Sequence, residues 1–377
     1  MAERKGPRPV VRLLAWLCLL APWPAAAGAQ SPPLKVEVVA RGLDHPWSLA
    51  FLPDGGVLVT ERAGRLRRIA GGRLITIAGV PPVLARGQGG LFDVVLHPEF
   101  AANRILYLSY AAGDRRANGT RVASARLEGD RLVDLRIVWS AVPAKRGEVH
   151  FGGRMVFLPD GSLLVATGDG FDRREDAQRL SSPLGKIMRL ADNGAAPADN
   201  PFAQQARALA TIWSLGHRNP QGLALDPVRR AVFQHEHGPR GGDEVNRIVR
   251  GGNFGWPVAT AGRDYSGATI SPFSTYQGMI DPLFGWTPSI APSGLAVYRG
   301  AMFPEWAGDL LVGGLVSRDV RRLRMDAAGR KVLAEERLLA DRRQRIRDVR
   351  VAPDGALWLT VDSPRGQVLR VSRADAA

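Results

Sequence analysis

His150 and Asp169 are the residues whose types and setting most directly suggest chemistry. An imidazole beside a carboxylate is a general base held in one working tautomer. Both lie in the stretch Glu148–Gly170, where two short apolar runs, Met155–Leu158 and Leu163–Ala166, flank Pro159-Asp160-Gly161. Runs this short, split by a Pro-Asp-Gly turn, predict two antiparallel strands. His150 precedes the first strand and Asp169 follows the second, so the open end of the hairpin brings them together. Arginine gives a second signal. Arg218, Arg345 and Arg347 each stand just ahead of an apolar run, as His150 does. Guanidinium forks pair with carboxylates, so three in equivalent positions suit a multiply anionic planar ligand. The third signal is the turn Glu236-His237-Gly238-Pro239-Arg240-Gly241-Gly242-Asp243-Glu244. Exposed carbonyls next to carboxylates suit Ca²⁺. His235 and His237 could also suggest zinc, which is the weaker reading beside the glycine-rich turn of carbonyls and carboxylates.

These residues need a scaffold that gathers distant loops, and the hairpin recurs to supply one. Trp47–Leu52 leads through Pro53-Asp54-Gly55 into Val57–Thr60, and Val349–Ala352 through Pro353-Asp354-Gly355 into Ala356–Thr360. Similar pairs surround Pro98, Pro227 and Pro304. With Pro159 the turn prolines are spaced 45, 61, 68, 77 and 49 residues apart. Units of roughly 40–50 residues with four short strands are propeller blades, and longer intervals are blades with loop insertions. The expectation is an all-β fold: a six-bladed β-propeller of four-stranded antiparallel blades. Loops leading into the first strand of each blade share one face of the ring, so Gln88, His150, Arg218, Asn219, Arg345 and Arg347 converge on one mouth. A β-sandwich is disfavoured because one turn motif recurs six times at similar spacings. The segment 193–210 is expected to carry one short helix.

Composition sets the limits. Residues 1–29 read as a signal peptide: Arg4, Lys5, Arg8 and Arg12 precede the short apolar core Leu13–Ala21, and Ala27-Gly28-Ala29 suits cleavage. The rest, 30–377, is expected to be a single propeller domain, exported to a periplasm or secreted, without stable membrane insertion. Cys18, the only cysteine, leaves with the signal, which excludes disulfides and thiolate metal sites from the mature chain. The formal charge is +15, and the loss of four cations and Glu3 leaves +12. Nucleic acid is not the expected partner, because the arginines are scattered and no nucleic-acid motif accompanies them. A positive field also draws an anionic cofactor or substrate.

Seven blocks in one order resemble the soluble aldose sugar dehydrogenases of the glucose/sorbosone dehydrogenase family. They are Gly87-Gln88-Gly89-Gly90, His150-Phe151-Gly152-Gly153-Arg154, Gly216–Gly222, Glu236-His237-Gly238-Pro239, Gly251–Pro257, Trp286–Gly294 and Arg345–Val349. The resemblance spans about Val36 to Val371. It implies a six-bladed propeller that uses pyrroloquinoline quinone (PQQ) and Ca²⁺ to oxidise aldoses at the anomeric carbon to lactones, passing electrons to an external acceptor. It implies His150 as general base, Asp169 as its orienting carboxylate, and Arg218 as the group that polarises the quinone oxygen. Gln88, Arg218, Asn219, Arg345 and Arg347 would hold PQQ, and Trp286 would wall the cleft. Carbonyls of Gly238 and Pro239 would bind one Ca²⁺; Glu244 and the carbonyl of Phe254 would bind a second, structural one. Several relatives carry a lysine on the blade-five strand where Val316 falls here; either Arg318, two residues on, reaches the same face or PQQ is held more weakly. The alternatives are a calcium-dependent propeller hydrolase of the lactonase kind and a non-catalytic sugar- or protein-binding propeller. A hydrolase needs carboxylates around a central metal, where this chain offers arginines.

Overall fold

The computed structural model describes residues 31–374. The signal peptide expected at 1–29 lies outside them. The described residues form six four-stranded antiparallel sheets arranged as a six-bladed propeller. The first strands of blades one to six are Pro46–Phe51, Leu91–Leu96, Gly152–Phe157, Pro220–Asp226, Pro292–Val297 and Ile346–Val351. Each touches the inner strand of the next blade, and the sixth touches the first, so they ring the central channel. The predicted hairpins all form: Phe157 pairs with Leu163 across the Pro159 turn, Phe51 with Val57, and Val351 with Leu357.

The strand sequences explain the ring. In blade three, Leu163 and Val165 pack toward blade two, with Tyr107 and Val122. Their neighbours Leu164 and Ala166 pack toward blade four, with Leu223 and Val232. Side chains alternate across a strand, so a run apolar at every position must be covered on both faces, and only a neighbouring blade on each side does that. Each fully buried leucine contributes about 1.5–3 kcal/mol of transfer free energy. Blade six is closed by the other end of the chain: Leu34–Leu43 pairs antiparallel with Gly366–Arg373, Leu34 opposite Arg373.

The channel is plugged below its mouth. Arg154 is buried, with its guanidinium 2.9 Å from Asp348 and stacked on the Trp47 ring at 4.1 Å. Arg350 bridges Asp348 and Asp93 at 2.8 and 2.9 Å. The segment 193–210 forms turns rather than the expected helix. Pro197 and Pro201 interrupt it, and the Asn200 side chain donates to the carbonyls of Arg189 and Ala210 instead. Among the described residues no helix is long and apolar enough to cross a membrane.

Candidate active site

His150 sits two residues ahead of Gly152–Phe157 with φ of 53°, a left-handed turn that swings its ring across the hairpin's open end. Its Nδ1 lies 2.7 Å from Asp169 Oδ1. An ionised carboxylate only accepts, so Nδ1 carries the proton and Nε2 keeps a free lone pair. The main-chain N–H of His150 donates to Gln88 Oε1 at 2.8 Å, which ties the turn to blade two. Asp169 is itself fixed: the Trp256 indole donates to Oδ2 and the Phe171 N–H to Oδ1, both at 2.8 Å. Burial holds the His150 pKa below its ordinary value against the pull of Asp169, and the charges of Arg218 and Lys145 add to the lowering. The imidazole is therefore neutral, as a base must be. Burial works against ionisation of Asp169, but the His150 hydrogen bond and charge, Arg218 and the Phe171 N–H keep its carboxyl low.

His150, Asp169, Arg218 and Trp256 line a cavity of about 330 Å³ whose rim carries Phe171, Asp172, Glu175 and Tyr265. A second cavity, of about 260 Å³, lies on the channel axis and takes residues from all six blades: Trp47 and Arg62, Gln88, Phe151, Asn219 and Gln221, Val316, and Arg345, Arg347 and Asp362 among them. His150 faces the first cavity and Phe151 the second; Arg218 faces the first and Asn219 the second. Consecutive residues thus form a wall shared by the two spaces.

The structure brings together the expected base, orienting carboxylate, Gln88, Asn219 and all three arginines. Arg218 is buried and donates from Nη1 to the carbonyls of His237 and Gly238 at 2.9 and 2.6 Å, while its Nε is buried without a partner. Arg345 and Arg347 share Asp362, at 3.0 and 3.5 Å. Burial brings the Arg347 guanidinium down to about 10 against the pull of Asp362, with Arg154, Arg345 and Arg62 adding to the lowering. Its Nε is also buried and unpartnered. Buried cationic donors left unpaired beside a cavity are costly, and they fit the carboxylates of PQQ.

Two expectations meet a different placement. Trp286 lies on the outermost strand of blade four, Phe284–Trp286. Its ring packs among Phe233, Leu295 and Leu323, and its indole donates to Glu335 at 2.7 Å, so it walls neither cavity. Arg318 turns away in a left-handed conformation and sits beside Arg337 and Arg343 in a separate depression, while Val316 stays at the cavity.

The calcium donors are mixed. Among the described residues no group of three or more His, Cys, Asp or Glu side chains converges as a metal site. The Gly238 carbonyl already faces a cation, the Arg218 guanidinium, and Pro239 lines the first cavity. Glu244 lies opposite Glu236 across paired strands, and burial with the Glu236 charge raises its pKa well above the ordinary range. Two crowded carboxylates suit a hard divalent cation. Phe254 reaches this group through His217, whose ring it stacks on at 4.8 Å and whose Nδ1 is 3.3 Å from Glu236. His235 and His237 go to different carbonyls, of Gly294 and Pro292; His235 is buried in the core, whereas His237 is half-buried and lines the axial cavity.

The sequence pattern does not single out Trp256 or Lys145 as site residues. Trp256 comes from 87 residues beyond Asp169, inside the quoted block Gly251–Pro257. Lys145 is buried with its ammonium 3.8 Å from the centre of the Phe151 ring, and burial brings its pKa down to about 8. The glycine-rich block around Trp256 was the available signal for the first; a lone lysine before a turn gave none for the second.

Fold and site together define a six-bladed propeller with a buried histidine–aspartate pair on one cavity and an arginine-lined axial cavity on the other side of a shared wall. The chain belongs to the Glucose / Sorbosone dehydrogenase family, whose model matches residues 43–370. It is 45% identical over 356 residues to aldose sugar dehydrogenase YliI of Escherichia coli (strain K12), covering 92% of this chain and 95% of that one. The crystal structure of the soluble E. coli aldose sugar dehydrogenase in its apo-form matches with a TM-score of 0.87 and 45% identity, covering 90% of this chain and 99% of that one. The PQQ-bound aldose sugar dehydrogenase of Streptomyces coelicolor matches with a TM-score of 0.73 and 30% identity, covering 91% and 100%.

Proposed function

We propose that this exported family member oxidises aldose sugars at the anomeric carbon to lactones, with PQQ and Ca²⁺ as cofactors. Family membership supports a sugar oxidoreductase, and a PQQ-bound relative supports the cofactor. The observation that carries the reading is the shared wall: the His150–Asp169 pair opens on one cavity, and the arginine-lined channel mouth lies on its other side. When bound, PQQ supplies the acceptor for the hydride of the anomeric carbon, and Ca²⁺ a Lewis acid beside it.

The chain's own residues do the rest. Nε2 of His150 takes the proton of the anomeric hydroxyl, because hydride leaves an alcohol carbon readily only as that proton leaves. Asp169 stabilises the imidazolium that results, and the Trp256 and Phe171 N–H groups keep the carboxylate from turning away. Arg218, already oriented by two carbonyls, offers a fixed positive group to negative charge that develops in the transition state. Arg345, Arg347, Gln88 and Asn219 bind and orient the cofactor. The Arg154 plug beneath Trp47 closes the channel under it. Gly238, Pro239, Glu244 and Phe254 would hold the cations.

Titration of the purified protein with PQQ in Ca²⁺ buffer, followed by dye-linked oxidation of a panel of aldoses, tests the reading. The expected result is saturation at about one PQQ per chain, aldose-dependent dye reduction with lactone as product, and loss of both after chelation. Binding of PQQ without turnover of any aldose would sink the enzymatic part.

A further inference from the structure

The charge balance at the channel mouth singles out Arg62. It follows the second strand of blade one, Val57–Glu61, and is half-buried at the axial cavity that Arg345 and Arg347 also line. Its main chain is held on both sides, the N–H donating to the His45 carbonyl at 3.1 Å and the carbonyl accepting from the Leu91 N–H at 3.0 Å. The side chain is not held in the same way. Its one hydrogen bond is Nη1 to the Gly87 carbonyl at 3.4 Å, and among the described residues it makes no ion pair.

Its neighbours show how unusual that is. Glu61, one residue earlier, is claimed by Arg65 and Arg67. Glu148, across the next blade, is claimed by Arg86 and Arg115. Asp362, the carboxylate that lines this cavity, is shared by Arg345, Arg347 and the His45 ring. Three guanidinium groups therefore face one carboxylate, and Arg62 is the one with no share of it. Part of the burden falls on Arg347, whose guanidinium is brought down mainly by burial and further by its cationic neighbours.

A long side chain left loose at a cavity mouth, with its charge uncompensated, is suited to close on an anion that completes the balance. We propose that Arg62 is a further cofactor-binding residue, a guanidinium from blade one that closes on a carboxylate of PQQ in the cavity it shares with Arg345 and Arg347. This rests on the PQQ reading above. It adds a blade-one contact to a set drawn so far from blades two, four and six.

The test is the dissociation constant of PQQ, read from quenching of tryptophan fluorescence in Ca²⁺ buffer, for wild type, Arg62→Gln, Arg62→Lys and Arg318→Gln. Arg62→Gln should bind PQQ about tenfold more weakly at low salt, as expected for the loss of one charge-assisted contact. The gap should narrow as salt screens the half-exposed charge. Arg62→Lys should recover part of the loss, and Arg318→Gln, outside the cavity, should match wild type. Wild-type affinity in Arg62→Gln would overturn this inference alone, whereas a wild type that binds no PQQ would overturn the reading beneath it as well. A loss in Arg62→Gln that ignores salt and that lysine does not relieve would mark a packing effect and also overturn it.

Discussion

Two histidine–aspartate pairs lead into inner strands on the same ring, and they are built for different work. His150 stands ahead of blade three with φ of 53° and Nδ1 2.7 Å from Asp169. His45 stands ahead of blade one with φ of 47° and Nδ1 2.8 Å from Asp362. The turn and the hydrogen bond are nearly the same; the company of the aspartate differs. Asp169 receives neutral donors, an indole and an amide N–H, besides the imidazole. Its charge remains available to stabilise an imidazolium. Asp362 is pinned between two arginines, and although burial works against it, Arg347, the His45 hydrogen bond and Arg345 hold its carboxyl far below the usual range. Its charge is spent on keeping those arginines in place. The His150 side chain is 5% exposed and the His45 side chain 27%, so only the first is shielded from bulk water. A histidine beside an aspartate is thus not itself a catalytic signature; what else the aspartate holds decides its use.

The most severe way to break the comparison is to remove each imidazole in turn. His150→Ala should lower aldose oxidation by about 10²-fold or more while PQQ still binds, as expected for loss of a general base. His45→Ala should change turnover less than about threefold, its effect appearing instead as weaker PQQ binding through a loosened Asp362. Dye-linked rates and PQQ titrations on the two proteins check this, and equal losses of turnover would erase the distinction. A gentler change targets the aspartate's company. Trp256→Phe removes the indole donor from Asp169 while keeping the ring, and should cost about tenfold in turnover, with most of the loss in kcat rather than KM.

The smallest effect is a shift in pH. Only neutral His150 accepts a proton, so the rate falls as pH drops through its pKa. Burial holds that pKa low, so the acid limb of kcat/KM in the reconstituted enzyme should be centred below the ordinary histidine value of about 6.5. A limb centred above 6.5 would assign the base to another group.

Much of this was legible in the chain. Pro53, Pro159 and Pro353, each followed by Asp-Gly, mark turns by local chemistry alone, and alternation of covered faces then requires blades around a ring. His150 and Asp169 were legible for the same reason, since one hairpin fixes both. What escaped was set by tertiary geometry. Trp256 reaches Asp169 from an inserted loop of another blade, and no local pattern specifies that reach. Trp286 has the residue type for a cleft wall, but its strand lies at the rim of its sheet. Arg318 was two residues from the expected place, yet one left-handed backbone angle sends its side chain elsewhere. The segment 193–210 had the alanines for a helix, and its prolines prevailed.

The pairing of Leu34–Leu43 with Gly366–Arg373 also governs the order in which the site can come into being. Five blades are contiguous in the chain and can each assemble as their own residues leave the ribosome. The sixth cannot, because its outermost strand is made first and the partner for that strand almost last. That long loop must close at an entropic cost before the two ends meet. Arg345, Arg347 and Asp362 belong to this blade. His150 and Asp169 therefore stand within a segment that can fold early, whereas the Arg345–Asp362–Arg347 cluster waits for the end of synthesis. A chain cut short near its C-terminus would keep the chemistry of blade three and lose the hold that makes it useful.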